Sequence, residues 1–148
     1  MVAFKHVALL VPDLREAEEH YRKIFAADLI GRESLREDGR WYSVPHGRDW
    51  TDIDAAKVNI HWVGLRRDDL RLALLVGEPE AQRTLYAIGL HLEPEEIAEV
   101  HGRLPDTVSV EVHADTALTF VDGYGFRWQC FGSEFRTAGD TRGDWLEM

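Results

Sequence analysis

The same order of predicted strands and helices occurs twice along the sequence. This duplication limits the folds that the chain can adopt more than any other feature. In the first copy an apolar, aliphatic segment ends at Pro12-Asp13. A helix is predicted to follow, because Asp13 is a suitable N-cap, Glu16 completes a capping-box spacing, and apolar residues recur at helical intervals as far as Phe25. The strands of this copy are predicted at residues 4–11, 28–35, 58–65 and 70–76.

The second copy repeats this order in the C-terminal half of the chain. When residues 6–11 are superposed on 87–92 their apolar positions stay in phase, and a predicted helix follows each segment. Two copies are too few to form a solenoid, so their faces must be buried against one another or in a dimer. The second copy has a helix predicted at 94–104 and strands at 86–92, 108–113, 117–121 and 127–131.

The duplication predicts an α+β fold in a single domain, residues 1–148. Its first module covers about residues 3–78 and its second about 84–132, and a polar tail, 133–148, follows. Within the first module, residues 39–56 form a long aromatic-containing loop, which is typical of a lid or a partner surface.

Composition excludes several classes of partner. With 17 Lys and Arg against 27 Asp and Glu, the net charge is −10, which disfavours nucleic acid and anionic membrane surfaces and favours a neutral or cationic small ligand. Cys130 is the single cysteine, so no intrachain disulfide can form and a cytoplasmic location is predicted. No apolar run reaches the roughly 20 residues of a spanning helix.

Two motifs, one in each predicted module, resemble those of the vicinal oxygen chelate superfamily, which includes glyoxalase I, bleomycin resistance proteins and extradiol dioxygenases. One is KHVALLVPDL at residues 5–14, and the other is FVDGYGFRWQ at residues 120–129, with an Asp-x-x-Gly-x-x-Trp turn. The resemblance covers roughly residues 3–132. It implies two tandem βαβββ modules whose curled mixed sheets enclose a cavity, commonly in a homodimer. Apolar strands and Trp145 in the tail also suggest a homodimer.

The resemblance places the metal ligands of the family's enzymes on the first and last strand of each module, at His6, Ala73, Ala87 and Gln129. A methyl group has no lone pair, a glutamine amide is neutral, and a catalytic ion generally needs three protein ligands and an open position. The sequence therefore predicts an incomplete metal site and no cofactor. The alternative is a divalent metal, Fe, Mn, Ni or Zn, held by His6 and Gln129 with one recruited ligand.

Strand alternation predicts a polar sheet face that lines the cavity and an apolar face that packs on the helices. Small residues on the polar face leave room for a ligand. The predicted polar face consists of His6, Ala8, Asn59, His61, Arg71, Ala73, Ala87, Gly89, His91, Glu111, His113, Thr119, Arg127 and Gln129. The predicted apolar face consists of Val7, Leu9, Ile60, Trp62, Leu72, Leu74, Ile88, Leu90, Val112, Leu118, Phe120, Trp128 and Cys130.

Three functions are compatible with these residues. The resemblance to bleomycin resistance proteins implies metal-free binding of a small aromatic or cationic molecule, stacked on loop aromatics. The metal enzymes imply a glyoxalase-type lyase or a dioxygenase. A metal-free reaction would use His6, His61 or Glu111 as general base. The missing metal ligands favour binding or metal-free chemistry. The predicted ligand contacts are Trp41, Trp50, Asn59, Arg71, His91, His113 and Arg127.

Overall fold

The computed structural model describes residues 6–78, 85 and 87–132, which form two compact units. The first unit contains residues 6–78 together with 103–105, and the second contains 85, 87–102 and 106–132. The C-terminal tail, with the dimer contact predicted for Trp145, lies outside the described residues. Within the described part of the chain, the helices are too short or too polar to cross a membrane.

The first unit is a five-stranded mixed sheet with the strand order β1-β5-β4-β2-β3. β1 and β5 are parallel, and the other neighbours are antiparallel. The predicted βαβββ order is present, but the segment predicted as a long loop contains a short strand and a helix. The elements are β1 (Val7–Val11), α1 (Leu14–Phe25), β2 (Asp28–Leu35), β3 (Trp41–Ser43), α2 (Trp50–Ala55), β4 (Trp62–Arg67) and β5 (Leu70–Val76).

The core of the first unit lies between α1 and the sheet. The Asp13 side chain accepts the N–H of Glu16 at 2.9 Å, as the sequence predicts, and α1 ends at Ala26 in the left-handed conformation. Burying the apolar stripe of α1 on the sheet supplies most of the stability of such a short helix. The buried apolar side chains of this core include Leu9, Leu14, Tyr21, Ile24, Phe25, Val63, Leu65, Leu72 and Leu74.

The second unit repeats the topology in a four-stranded sheet with the order β6-β9-β8-β7, in which β6 and β9 are parallel. The predicted Asp-x-x-Gly-x-x-Trp turn joins the last two strands. Asp122 is buried, and it accepts the backbone N–H of Tyr124 and Phe126 and the indole N–H of Trp128, at 2.8–3.0 Å. The elements are β6 (Ile88–His91), α3 (Pro94–Arg103), β7 (Ser109–Ala114), β8 (Ala117–Val121) and β9 (Arg127–Phe131).

The face predicted for β4 is wrong by one residue. Val63 and Leu65 are fully buried and stand opposite Leu74 and Leu72 on the α1 side, so Trp62 points to the other face. The strand starts at Trp62 rather than at residue 58, so the alternation counted from Val58 does not apply to it.

The face predicted for the end of β7 is also wrong, because the register shifts between Val110 and Val112. After this irregularity His113 stands opposite the fully buried Leu118, and its ring stacks on that of His101 in α3, with centroids 3.6 Å apart. Val112, predicted to pack on the helix, is 47% exposed and stands opposite Thr119 instead.

Candidate functional site

The sheet face of the first unit that points away from α1, here called the open face, carries a row of small residues. In the strand register Gly31 stands opposite Gly64, Gly64 opposite Ala73, and Ala73 opposite Ala8. The row therefore crosses β2, β4, β5 and β1. Small side chains in adjacent strands leave space above the backbone that a larger group can occupy.

Trp62 occupies part of this space. A Cβ atom at Gly64 would overlap the six-membered ring of Trp62, so the indole lies across Gly64 on the open face. Gly64 stands directly opposite Ala73, which is only 6% exposed. The indole of Trp62 is itself half-buried, so it forms a flat aromatic surface next to the alanine at position 73.

The metal positions implied by the resemblance can be compared through the strand registers of the two units. Ala8 stands opposite Ala73 in the first unit, and Gly89 stands opposite Gln129 in the second, so positions 73 and 129 are equivalent. His6 is exposed immediately before β1. Each unit thus offers one donor at these positions, an imidazole or a neutral amide, and the residues do not fit a complete divalent-metal site.

The remaining metal-binding residue types do not replace the missing donors. Within residues 6–78, 85 and 87–132, His, Cys, Asp and Glu side chains form no group of three or more that could hold a metal ion. Cys130 is fully buried, and burial raises the pKa of its thiol to about 12, so it stays protonated and is a poor ligand or nucleophile at neutral pH.

His61 was predicted as a general base, but its imidazole extends the hydrogen bonding between β2 and the segment before β4. Its Nδ1 accepts the backbone N–H of Leu35 at 3.0 Å, while its own backbone N–H donates to Glu33 at 2.8 Å. Because Nδ1 is an acceptor, the neutral ring carries its proton on Nε2. His61 therefore has no unused basic nitrogen, and taking up a proton at Nδ1 would break its bond to Leu35.

Glu111, the other carboxylate predicted as a general base, forms a bidentate ion pair with Arg127. The guanidinium donates to its two oxygens at 2.9 and 2.8 Å. Hydrogen bonding to Arg127 lowers the pKa of Glu111, which makes this carboxylate a weaker base. Of the three predicted bases, His6 alone lacks such an arrangement among the residues described.

The predicted ligand-binding residues separate into different environments. Trp41 is 48% exposed and stands opposite Leu35 on the open face, with its ring edge-on to His61. Arg71 donates to the carbonyl of Asp68 in its own turn. Asn59 is exposed in the segment before β4, and His113 packs on α3. Two further predicted contacts pair with carboxylates: His91 pairs with Glu93 at 3.0 Å, and Arg127 pairs with Glu111.

Trp50 belongs to a buried polar cluster rather than to an exposed stacking surface. Glu18 is 3% exposed and Arg32 is 6% exposed, and they form a bidentate pair at 2.6 and 2.8 Å. Trp50 donates its indole N–H to Glu18 at 2.9 Å, and the Arg32 guanidinium lies 5.0 Å from the indole centroid. Arg32 also donates to the carbonyl of Arg48 at 3.2 Å, so the cluster fixes α2 and the segment before it.

A cleft, here called the α2 cleft, lies between the β2–β3 region and α2. One part has a volume of about 530 Å³, and an adjoining part of about 820 Å³ shares Ser34, Arg36 and Tyr42 with it. The Tyr42 hydroxyl donates to Asp38 at 2.6 Å, which lowers the pKa of Asp38 and raises that of Tyr42. Both volumes are within the range of small-molecule sites, roughly 300–1,000 Å³.

Strand alternation predicted the wrong face for Trp62, and no sequence pattern indicated Ser34, Arg36 and Arg48 as cleft residues. A glycine two residues after a tryptophan in a strand could have indicated that an indole lies over it. The cleft had no comparable signal, because α2 is only six residues long and its position depends on the distant Glu18 and Arg32.

Comparison with known proteins gives a match in structure but not in sequence. No family model and no curated protein matches the chain. Its structure is similar to that of the fosfomycin resistance protein FosX from Listeria monocytogenes, with a TM-score of 0.64 and 16% identity over 90% of this chain and 93% of that one. The FosX from Mesorhizobium loti gives a TM-score of 0.61, with 15% identity over 90% and 94% of the two chains.

A possible glyoxalase from Bacillus cereus is also similar, with a TM-score of 0.56 and 20% identity over 88% of this chain and 99% of that one. The chain has the fold of the vicinal oxygen chelate superfamily. Two crystal structures of the Listeria protein are of complexes with Mn(II), one of them with dihydroxypropylphosphonic acid. The vicinal oxygen chelate fold predicted from the two motifs is therefore confirmed.

Proposed function

We propose that this chain binds a flat, neutral or cationic organic molecule on the open face of its first unit, and does so without a metal ion. The observation that carries the proposal is the position of Trp62, whose indole lies across Gly64 and next to Ala73. The resemblance implies that Ala73 occupies a position where the metal enzymes of this fold have a metal ligand. An indole and a methyl group suit an apolar or aromatic ligand and contribute nothing to a cation's coordination shell.

The surroundings of Trp62 support an aromatic or cationic ligand. Glu33, opposite Trp62 in the register, adds a carboxylate to the open face, and Trp41 adds a second exposed indole farther along the same face. A cation over an indole face gains roughly 0.5–2 kcal/mol, depending on how far it is desolvated. The net charge of −10 acts in the same direction at long range.

Tryptophan fluorescence tests this proposal. The chain would be purified without chelator and titrated with a panel of cationic aromatic antibiotics, with quenching as the signal. We expect saturable quenching for at least one compound and its loss in Trp62→Leu. Trp50→Phe, which alters an indole on the α1 side, is the control and should keep the quenching. A panel that gives no saturable signal, or a signal that survives Trp62→Leu, would refute binding at this surface.

The second candidate is a metal-dependent glyoxalase-type lyase or a dioxygenase in which His6 and Gln129 hold Fe, Mn, Ni or Zn with a recruited ligand. The Mn(II) complexes of the structurally similar FosX favour it. Elemental analysis of the same preparation discriminates between the candidates. Stoichiometric metal that is lost in His6→Ala would favour the enzyme. A metal content below about a tenth of an equivalent, the order of magnitude expected for a site with too few donors, would favour metal-free binding.

We also propose a homodimer and a cytoplasmic location, as predicted from the sequence. Light scattering at micromolar concentration tests the first, because a species of 17 kDa alone would contradict it.

A further inference from the structure

The 530 Å³ part of the α2 cleft is lined by Ser34 and Tyr42, which belong to the side of the first sheet opposite the open face, whereas the adjoining part reaches Leu35 and His61. Along β2, Arg32 and Ser34 are buried on the α1 side, where Arg32 meets Glu18, and Tyr42 stands opposite Ser34 in β3. Since successive side chains of a strand alternate between faces, Ser34 and Ala73 belong to different sides of the sheet. A ligand in the 530 Å³ part would therefore occupy a site separate from the one proposed above.

The 530 Å³ part of the cleft has a charge opposite in sign to that of the chain, whereas the adjoining part adds Lys57 against Glu37 and Asp38, so that the cleft as a whole is neutral. In the 530 Å³ part, the ionisable side chains along the wall are Arg36, Arg48 and Asp52, a local charge of +1 in a chain of net charge −10. The nearest approach of Arg48 to Asp52 is 3.7 Å, and the Arg48 side chain is 63% exposed, so it remains able to bind an anion. Guanidinium groups recognise planar carboxylates by two parallel hydrogen bonds.

The rest of the 530 Å³ part combines an apolar wall with the hydroxyl of Ser34. Ser34 is 5% exposed, and within the described residues its hydroxyl makes no hydrogen bond, so it can donate to a ligand. The Tyr42 ring packs beneath the Arg36 guanidinium at 5.8 Å. The apolar wall consists of Val44, Pro45, Ile53, Ala55, Ala56 and Val58.

The cleft is also held in position before any ligand binds. The buried pair of Glu18 and Arg32 fixes Trp50 at the start of α2 and the backbone carbonyl of Arg48. Asp49 and Asp52 form a reciprocal capping box at the same helix. A wall that is already ordered loses little conformational entropy on binding, which favours a small ligand.

We infer that the α2 cleft is a second ligand site, which binds a small organic carboxylate whose flat apolar body lies against Ile53 and Val58. Arg36 and Arg48 would bind the carboxylate, and the Ser34 hydroxyl would donate a further hydrogen bond. This inference does not depend on the ligand proposed for the open face, because the two sites share none of these residues.

Isothermal titration of the full chain with naphthoate tests the inference, with the neutral naphthamide and the naphthylmethylammonium cation as probes of the same shape. We expect saturable binding of naphthoate, and binding at least about tenfold weaker for the other two probes, because a charge-assisted hydrogen bond to a guanidinium is worth about that factor. Equal affinity for all three probes, or no heat with naphthoate, would overturn the inference.

Variants assign the binding to the cleft. Arg36→Gln and Arg48→Gln should each weaken naphthoate binding about tenfold. Lys23→Gln, which removes one exposed positive charge from α1, is the matched control and should leave the affinity within about twofold, since its charge is largely screened. Far-UV circular dichroism and the melting temperature check that each variant is folded. A loss that follows Trp62→Leu instead of the arginine variants would place naphthoate on the open face and overturn the inference.

Discussion

The two units share one topology, yet each uses its buried carboxylate differently. In the first, Glu18 forms a buried ion pair with Arg32 and thereby ties α2 to α1. In the second, Asp122 accepts uncharged N–H groups, including the indole of Trp128, and closes a local turn. Both units bury apolar strand residues while their polar contacts differ, so the units share a scaffold but differ in what their polar groups position.

Removing the charge from Glu18 should have the largest effect on stability. Glu18→Gln leaves the Arg32 guanidinium buried without its counter-ion, and breaking such a pair costs about 3–5 kcal/mol in the free energy of unfolding. Urea unfolding followed by far-UV circular dichroism measures it. Asp54→Asn is the control, because the Arg15–Asp54 pair is exposed and worth less than about 1 kcal/mol. Equal losses in both variants would remove the contrast between a buried and a surface pair.

The turn of the second unit should be next in sensitivity. Asp122→Ala leaves two backbone N–H groups and the Trp128 indole without their acceptor, at a cost of about 2–4 kcal/mol. Asp122→Asn keeps one oxygen for the backbone groups but presents an amide to the indole, so we expect about half of that loss. The same unfolding experiment measures both. If Asp122→Ala were as stable as the parent chain, the carboxylate would not hold the turn.

Two strand glycines, Gly64 in β4 and Gly89 in β6, should respond to alanine in opposite directions. Gly64→Ala places a methyl group where the Trp62 ring lies, and overpacking of this kind costs about 1–3 kcal/mol. Gly89 has no atom within 4 Å of the corresponding position, so Gly89→Ala should stabilise the chain by about 0.5 kcal/mol through the unfolded state. Thermal melting compares the two. Identical shifts would show that the indole does not cover Gly64.

The exposed pair of Glu111 and Arg127 should give the smallest effect, and one that depends on pH. Arg127 lowers the pKa of the Glu111 carboxyl, so this carboxyl binds a proton less readily in the folded state than in the unfolded state. The pair therefore stabilises the fold above the ordinary pKa of the carboxyl, and this contribution disappears as the pH falls through the lowered value. Carboxyl NMR titration should show the pKa of Glu111 rising in Arg127→Gln and unchanged in Lys23→Gln.

Local sequence signals determined most of the strands, the α1 cap and the turn at Asp122, because each depends on residues a few positions apart. The short strand β3 was not predicted, and β4 starts later than predicted. The duplication and the two motifs likewise sufficed for the fold. Faces were predicted correctly where a strand is regular, as for Leu72 and Leu74 in β5. Alternation predicted the wrong faces in β4 and β7. Because of the later start of β4, and because the register of β7 shifts after Val110, the inward and outward positions move by one residue.

Only the tertiary structure decided which polar groups meet. The contacts of Glu18 with Arg32 and Trp50 join residues 14 and 32 positions apart, and the stacking of His113 on His101 brings a strand against a helix. No periodicity encodes such pairs, because they arise when separate elements pack. The sequence, through the resemblance, predicts alanines at two of the family's metal positions, and packing decided that an indole lies across Gly64, opposite one of them, Ala73.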